Sequence, residues 1–200
     1  SESGTNGEST TPKFSLPVCP LCKDTGAIRS LSYCTCPKGQ AAKDKHLQAY
    51  AHLPNSASPR TFETFQPQPG SQKALDAALN FARGSASNAA LTLYGPNGTG
   101  KSHLMEAIGR FMLSEGRWVK YVVSADLLDE LRASYGDDAT LSFERVYEKY
   151  SLPPVLLLDD LGVEKPSEWA VEKLTRLVDE RYREGRQIVV ATNLSENMMA

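Results

Sequence analysis

The densest chemistry in the chain lies in Gly95-Pro96-Asn97-Gly98-Thr99-Gly100-Lys101-Ser102, which satisfies the pattern G-x-x-x-x-G-K-[ST]. Glycines allow such a loop to wrap backbone N–H groups around phosphate oxygens, and a helix starting near Lys101 turns its positive dipole end towards the anion. Lys101 is then placed to reach the β- and γ-phosphates of a nucleotide, and the Ser102 hydroxyl to ligate Mg²⁺. The plainer alternative is a Gly-rich turn from strand to helix that binds nothing. The apolar run ALTLY before the loop and the amphipathic run KSHLMEAIGRFMLS after it supply the context in which the pattern holds phosphate.

A phosphate loop needs an acid at the end of a neighbouring strand to hold the metal that neutralises the outer phosphates. VLLLDD at 155–160 offers two. Asp159 is expected to hold Mg²⁺ directly or through water, and Asp160 to orient or deprotonate the attacking water. Paired acids can also simply cap the turn at Leu161-Gly162. Asn193 breaks the apolar run QIVVAT at its tip, where an uncharged amide can hold the same water against the γ-phosphate, or merely make a turn.

All four cysteines fall within 18 positions, as Cys19-x2-Cys22, eleven intervening residues, and Cys34-x-Cys36. In a reducing compartment this grouping reads as a tetrahedral Cys₄ Zn²⁺ site, with reduced or redox-active thiols as the alternative. About two dozen residues hold too little core to fold alone, so metal binding would supply on the order of 10 kcal/mol of folding energy. His46, His52 and His103 read as surface or packing residues, since four thiolates already complete the site.

These groups must be positioned by elements, and composition bounds what those are. The chain has 200 residues, 40% apolar and 23% charged, enough for one globular domain with a small appendage. A net charge of −2 excludes a uniformly cationic coat for nucleic acid, so any DNA contact is local or shared with partners. No run of about 18 apolar residues exists, so no membrane partner is expected. SESGTNGESTTPK lacks the basic start and apolar stretch of a secretory signal, which makes a cytoplasmic location the default. The Ser start and the stop after NLSENMMA read as a fragment.

Residues 1–13 have the composition of a disordered tail. Residues 14–40 form the cysteine unit, and 41–60 a connecting helix followed by the linker NSASPR. From 61 to 200, strand-type and helix-period runs alternate, the mark of an α/β domain with a mostly parallel sheet. Strands are expected at ALTLYG, WVKYVVS, PVLLLDD and QIVVATN. Helices are expected after Ser71, which can cap the first of them, after Lys101, over SADLLDELRASYG and LSFERVYEKYS, and over a long run capped by Ser167.

GPNGTGKSHLMEAIG, LLLDDLG and SEWAVEKLTRLVDERYREGRQIVVATNLS resemble the AAA+ ATPases of the DnaC/DnaI helicase-loader and IstB transposition-helper group over roughly residues 60–200. The resemblance implies an AAA+ P-loop core, incomplete at its carboxyl end, with Walker A at 95–102, Walker B at 155–160 and sensor 1 at Asn193. It implies ATP and Mg²⁺ as cofactors, with Lys101 and Ser102 on phosphate and metal, Asp159 on metal, and Asp160 at a catalytic position where the family often has Glu. RTFETFQP resembles the stretch that frames the adenine pocket, although Phe62 and Phe65 serve equally well as core residues. CPLCKDTG and YCTCPKG resemble the zinc-bearing amino-terminal part of some loaders.

Membership of this group implies a homo-oligomer with ATP at subunit interfaces, single-stranded DNA as ligand and a hexameric replicative helicase as partner. A transposition helper and a nucleotide-sensing adaptor with little hydrolysis are the alternatives. The group also implies an arginine finger, a fifth strand beside the phosphate-loop strand and a sensor 2 arginine, none recognisable here, so the chain alone is expected to turn over ATP weakly. Without that fifth strand the phosphate-loop strand becomes a sheet edge. Arg181 is the internal candidate for completing the site in cis. Lys43/Lys45 and Arg181/Arg183/Arg186 can touch DNA or form a solvated face.

Overall fold

A computed structural model describes residues 19–23, 25–29, 32–55, 57–85, 89–136, 139–162 and 167–194. The expected tail at 1–13 lies outside them. The chain divides into two units at Lys43/Asp44.

In the smaller unit, β1 (Ala27–Arg29) and β2 (Ser32–Tyr33) form an antiparallel pair with Ala27 opposite Tyr33. Helix α1 (Pro37–Ala51) begins here, with proline at its first position, where no N–H is needed. Gly39 is required by close approach, because a Cβ there would lie 2.0 Å from the Cys34 carbonyl oxygen.

In the larger unit, α2 (Gln72–Ala82) precedes β3 (Ala90–Tyr94), α3 (Lys101–Ser114) and β4 (Val119–Val123). Then follow α4 (Ser124–Ala133), α5 (Phe143–Ser151), β5 (Val155–Leu161), α6 (Glu168–Arg183) and β6 (Gln187–Thr192). The four strands form one parallel sheet in the order β3-β6-β5-β4. This is the expected α/β core with a parallel sheet, and among the described residues β3 lies at one edge.

The period of two along each strand divides the core. Val155 and Leu157 face the cluster formed with α2 and α3, whereas Leu156 and Leu158 face α4, α5 and α6. Both faces of β5 are therefore covered over residues 155–158, which is why that stretch is an unbroken apolar run ahead of the two acids. By the same parity Asp159 falls on the α3 face, and so does Tyr121, which packs against that cluster.

Three local readings are corrected. Ser71 does not cap α2 with its side chain. It has helical dihedrals, and its hydroxyl donates to the Gln68 carbonyl at 2.9 Å while accepting from the Gln68 N–H at 2.8 Å. Ser167 does cap α6, accepting from the Ala170 N–H at 3.2 Å. The stretch after α1 is no free linker but is fastened across α3. The Arg60 guanidinium pairs with buried Glu106 at 2.8 Å, Arg110 donates to the Pro54 carbonyl at 2.8 Å, and Leu53 packs so closely on α3 that a Cβ on Gly109 would meet it at 2.9 Å.

Arg181 is the third correction. It is fully buried and donates to the carbonyls of Tyr150, Ser151, Pro154 and Gln187. Those carbonyls lie before β5 and at the start of β6, the end of the sheet opposite the phosphate loop, so Arg181 serves neither as a cis finger nor as a DNA contact.

Candidate nucleotide site

The loop between β3 and α3 turns on glycines with positive φ. At Gly100 (φ 90°) any Cβ would meet the Phe65 ring at 2.7 Å, so the loop's exit into α3 requires glycine on two counts. Lys101 Nζ donates to the carbonyls of Gly95 at 2.8 Å and Pro96 at 2.9 Å, and Thr99 Oγ1 donates to the Pro96 carbonyl at 2.9 Å. The ammonium thus sits inside the turn of the loop, next to the first turn of α3, whose leading N–H groups have no partner within the helix. That concentration of positive potential suits an anion.

Ser102 Oγ donates to Asp159 Oδ1 at 3.2 Å, across 57 residues of sequence. The hydroxyl and carboxylate predicted to share a cation are therefore side by side, and two hard oxygen donors beside a phosphate cradle fit Mg²⁺. Asp159 is only 2% exposed and also accepts from its neighbour's backbone, Asp160 N–H to Oδ1 at 3.0 Å, and from Tyr121 OH to Oδ2 at 2.8 Å. Burial, then the charge of Asp159, pushes the Tyr121 phenol well above its ordinary pKa, so it remains a donor throughout the physiological range.

Asp160 departs from the strand. Its φ is +54°, in the left-handed region that side chains other than glycine rarely adopt, and the β5–β6 register shifts between Leu158 and Leu161. Ser124 Oγ donates to the Asp160 carbonyl at 3.1 Å, and the side chain is half-buried where Asp159 is buried.

The end of β6 is fastened to both neighbours. Thr192 Oγ1 donates to the Leu161 carbonyl at 2.7 Å, and the Gly95 N–H donates to the Thr192 carbonyl at 3.3 Å. Asn193 is the next residue and is exposed. Lys101, Ser102, Asp159, Asp160 and Asn193 are thus gathered at the carboxyl ends of parallel strands, where ligands of open α/β sheets bind. Tyr121, Ser124 and Thr192 were missed in the sequence. Only the two-residue period of WVKYVVS pointed towards Tyr121, because its partner depends on strand register.

Beside the loop, at the edge of β3, lies a cavity of about 460 Å³, lined by residues that include Gln68, Lys73, Ala74, Tyr94, Thr99 and Lys101. Phe62 and Phe65 take the core role. Phe65 is buried with its ring 5.2 Å from that of His103, and Phe62 meets Phe111 at 6.1 Å. His103 Nε2 is 2.9 Å from the Thr61 carbonyl oxygen, a packing role at the start of the helix.

In the smaller unit, the Sγ atoms of Cys19, Cys22, Cys34 and Cys36 all lie within 4.8 Å of one another. Cys19–Cys34 and Cys22–Cys36 are each 3.6 Å apart, close to the roughly 3.8 Å edge of a tetrahedron with Zn–S bonds of about 2.3 Å. Backbone N–H groups around Cys19, with Cys22 foremost, lower its thiol to about 7, and Gly39 N–H donates to Cys36 Sγ at 3.4 Å. This donor set fits Zn²⁺.

The profile of the IstB-like ATP-binding protein family matches residues 40–198. The chain belongs to this family. As an IstB-like protein it is 28% identical over 131 residues to the replicative helicase loader DnaC of Buchnera aphidicola subsp. Schizaphis graminum, covering 65% of this chain and 53% of that protein. It is similar to the crystal structure of the DnaC helicase loader, with a TM-score of 0.58 and 27% identity over 68% of this chain and 77% of that one. Domain III of the Thermotoga maritima replication initiation protein DnaA gives a TM-score of 0.64 and 28% identity over 73% of this chain and 61% of that one. The chain spans about half the length of the curated relatives it matches. Among the described residues, no helix of this IstB-like protein is long and apolar enough to cross a membrane.

Proposed function

We propose that this protein binds and hydrolyses ATP at the loop 95–102 and uses that cycle to load a hexameric replicative helicase onto DNA. The observation that carries the ATPase reading is the Ser102–Asp159 contact at 3.2 Å, which puts both predicted metal ligands at the mouth of the phosphate loop. Lys101, with the backbone of Gly95, Pro96, Asn97, Gly98, Thr99 and Gly100, would hold the outer phosphates. Ser102 and Asp159 would hold Mg²⁺, which when bound neutralises the charge shared between the β- and γ-phosphates. Asp160 accepts a proton from the attacking water, and Asn193 orients that water against the γ-phosphate. The cavity at the β3 edge, continuous with the loop, is the place for the base and sugar.

The likeness to DnaC, a replicative helicase loader, supports the loading role. Single-stranded DNA as ligand, self-association through the ATP sites and a cytoplasmic location belong to the same proposal. The four-cysteine unit, as a Zn²⁺ module, supports the same role, since it resembles part of some loaders. The match to the IstB-like family favours a second reading, a transposition helper that acts on target DNA. Pull-down with a hexameric replicative helicase in ATP, together with turnover measured with and without single-stranded DNA, distinguishes them. Retention of the helicase is expected. ATP binding and DNA stimulation without any helicase retention would leave the transposition reading in its place.

A further inference from the structure

Among the described residues, the Asp159 carboxylate accepts three hydrogen bonds, and they differ in kind. Two come from within the site itself, from Ser102, which is a metal ligand in the proposed reading, and from the adjacent Asp160 backbone. The third comes from outside the phosphate loop and its acid pair, from the Tyr121 hydroxyl on β4 at 2.8 Å. Sheet register makes this contact. Val123 lies opposite Asp159 and Tyr121 opposite Leu157, so Tyr121 is the diagonal cross-strand neighbour of Asp159 on the same face of the sheet. Its ring packs against the α3-side core, which fixes where its hydroxyl stands.

We propose that Tyr121 is the positioning residue for the cation. By occupying Oδ2, it holds the Asp159 carboxylate in one rotation and leaves Oδ1, the oxygen beside Ser102, directed at the metal. Because this bond is made to Oδ2 and not through Ser102, it would hold the carboxylate's orientation with Ser102 directed at a cation instead of at Asp159. Groups that orient a metal ligand in this way typically change metal affinity by about 10–100-fold when removed.

This inference rests on the ATP-binding reading of the same site, and the test separates the two. Tyr121→Phe removes one oxygen and keeps the packed ring. Binding of methylanthraniloyl-ATP is followed by fluorescence, first in EDTA and then across a Mg²⁺ titration, alongside thermal melting without nucleotide. The expected result is unchanged affinity in EDTA, an unchanged melt, and a Mg²⁺ midpoint raised about 10-fold or more. In an Asp159→Asn background the same change should add nothing, because the group it positions has been altered. An unshifted Mg²⁺ midpoint overturns the inference. So does a fold-independent additive effect in the Asp159→Asn background, or a loss that is equal with and without Mg²⁺ and follows the melt, since each makes Tyr121 a packing residue only. Failure of the parent protein to bind the nucleotide in either condition instead removes the ATP-binding reading itself.

Discussion

At the residue scale, the informative feature is the conformation of Asp160. A non-glycine residue at φ +54° inside a strand costs roughly 1–2 kcal/mol, and it persists because the register shift and the Ser124 bond to its carbonyl hold it there. Its neighbour Asp159 follows the strand and points to the α3 side, a face from which the strand's alternation already turns the next residue, and the left-handed turn takes Asp160 out of the regular ladder. Asp160→Gly should therefore raise stability by roughly 1 kcal/mol while lowering ATP turnover by about 10² or more. Thermal melts and a phosphate-release assay check the two halves separately. Asp160→Asn, which tolerates the same backbone, should keep ATP binding and stability but lose turnover to a similar degree, because it removes the base without altering the bulge. Equal turnover in either variant and the parent places the general base elsewhere.

At the scale of elements, the end of the sheet opposite the loop depends on one side chain. Arg181, fully buried on α6, draws together carbonyls from the end of α5, the turn before β5 and the first residue of β6. Burial lowers its pKa to about 10, still far above neutrality, so it donates as a cation. Replacing it by Met leaves buried carbonyls without donors, and the expected cost is about 3 kcal/mol or more, measured by chemical denaturation. Below the melting transition, nucleotide affinity should be unchanged, since the loop is at the other end.

The same residue illustrates what the sequence could and could not reveal. The alternation of strand-type and helix-period runs located the helices and strands of the larger unit, and the phosphate-loop and double-acid patterns pointed to the candidate site, because those signals are local. Arg181 looked like one of several surface cations because its partners lie up to 31 residues away. NSASPR looked like a linker because Arg60–Glu106 and Arg110–Pro54 close only in the fold. Tyr121 stayed hidden because strand register is not written in either strand alone. Ser71 looked like a cap because its residue type and place match one, yet its hydroxyl closes a local turn with Gln68.

At the scale of the whole molecule, the division at Lys43/Asp44 separates two kinds of stabilisation. The larger unit has two apolar clusters covering both faces of a sheet, whereas the smaller offers a two-stranded ribbon and four converging thiols. One Zn²⁺ per chain should co-purify under reducing conditions, and Cys19→Ser or Cys36→Ser should release it. Hydrogen exchange should then rise over residues 19–36 while ATP binding is retained. Metal analysis that finds no zinc would reject that assignment. In the other unit, the loop between β3 and α3 is proposed as a nucleotide site completed by Lys101. Calorimetric titration of the protein and of Lys101→Ala with Mg-ATP tests it most directly. One ATP bound per chain by the parent is expected, with loss of that binding in a variant that melts like the parent. Unchanged affinity in Lys101→Ala, or no binding by the parent, would contradict it.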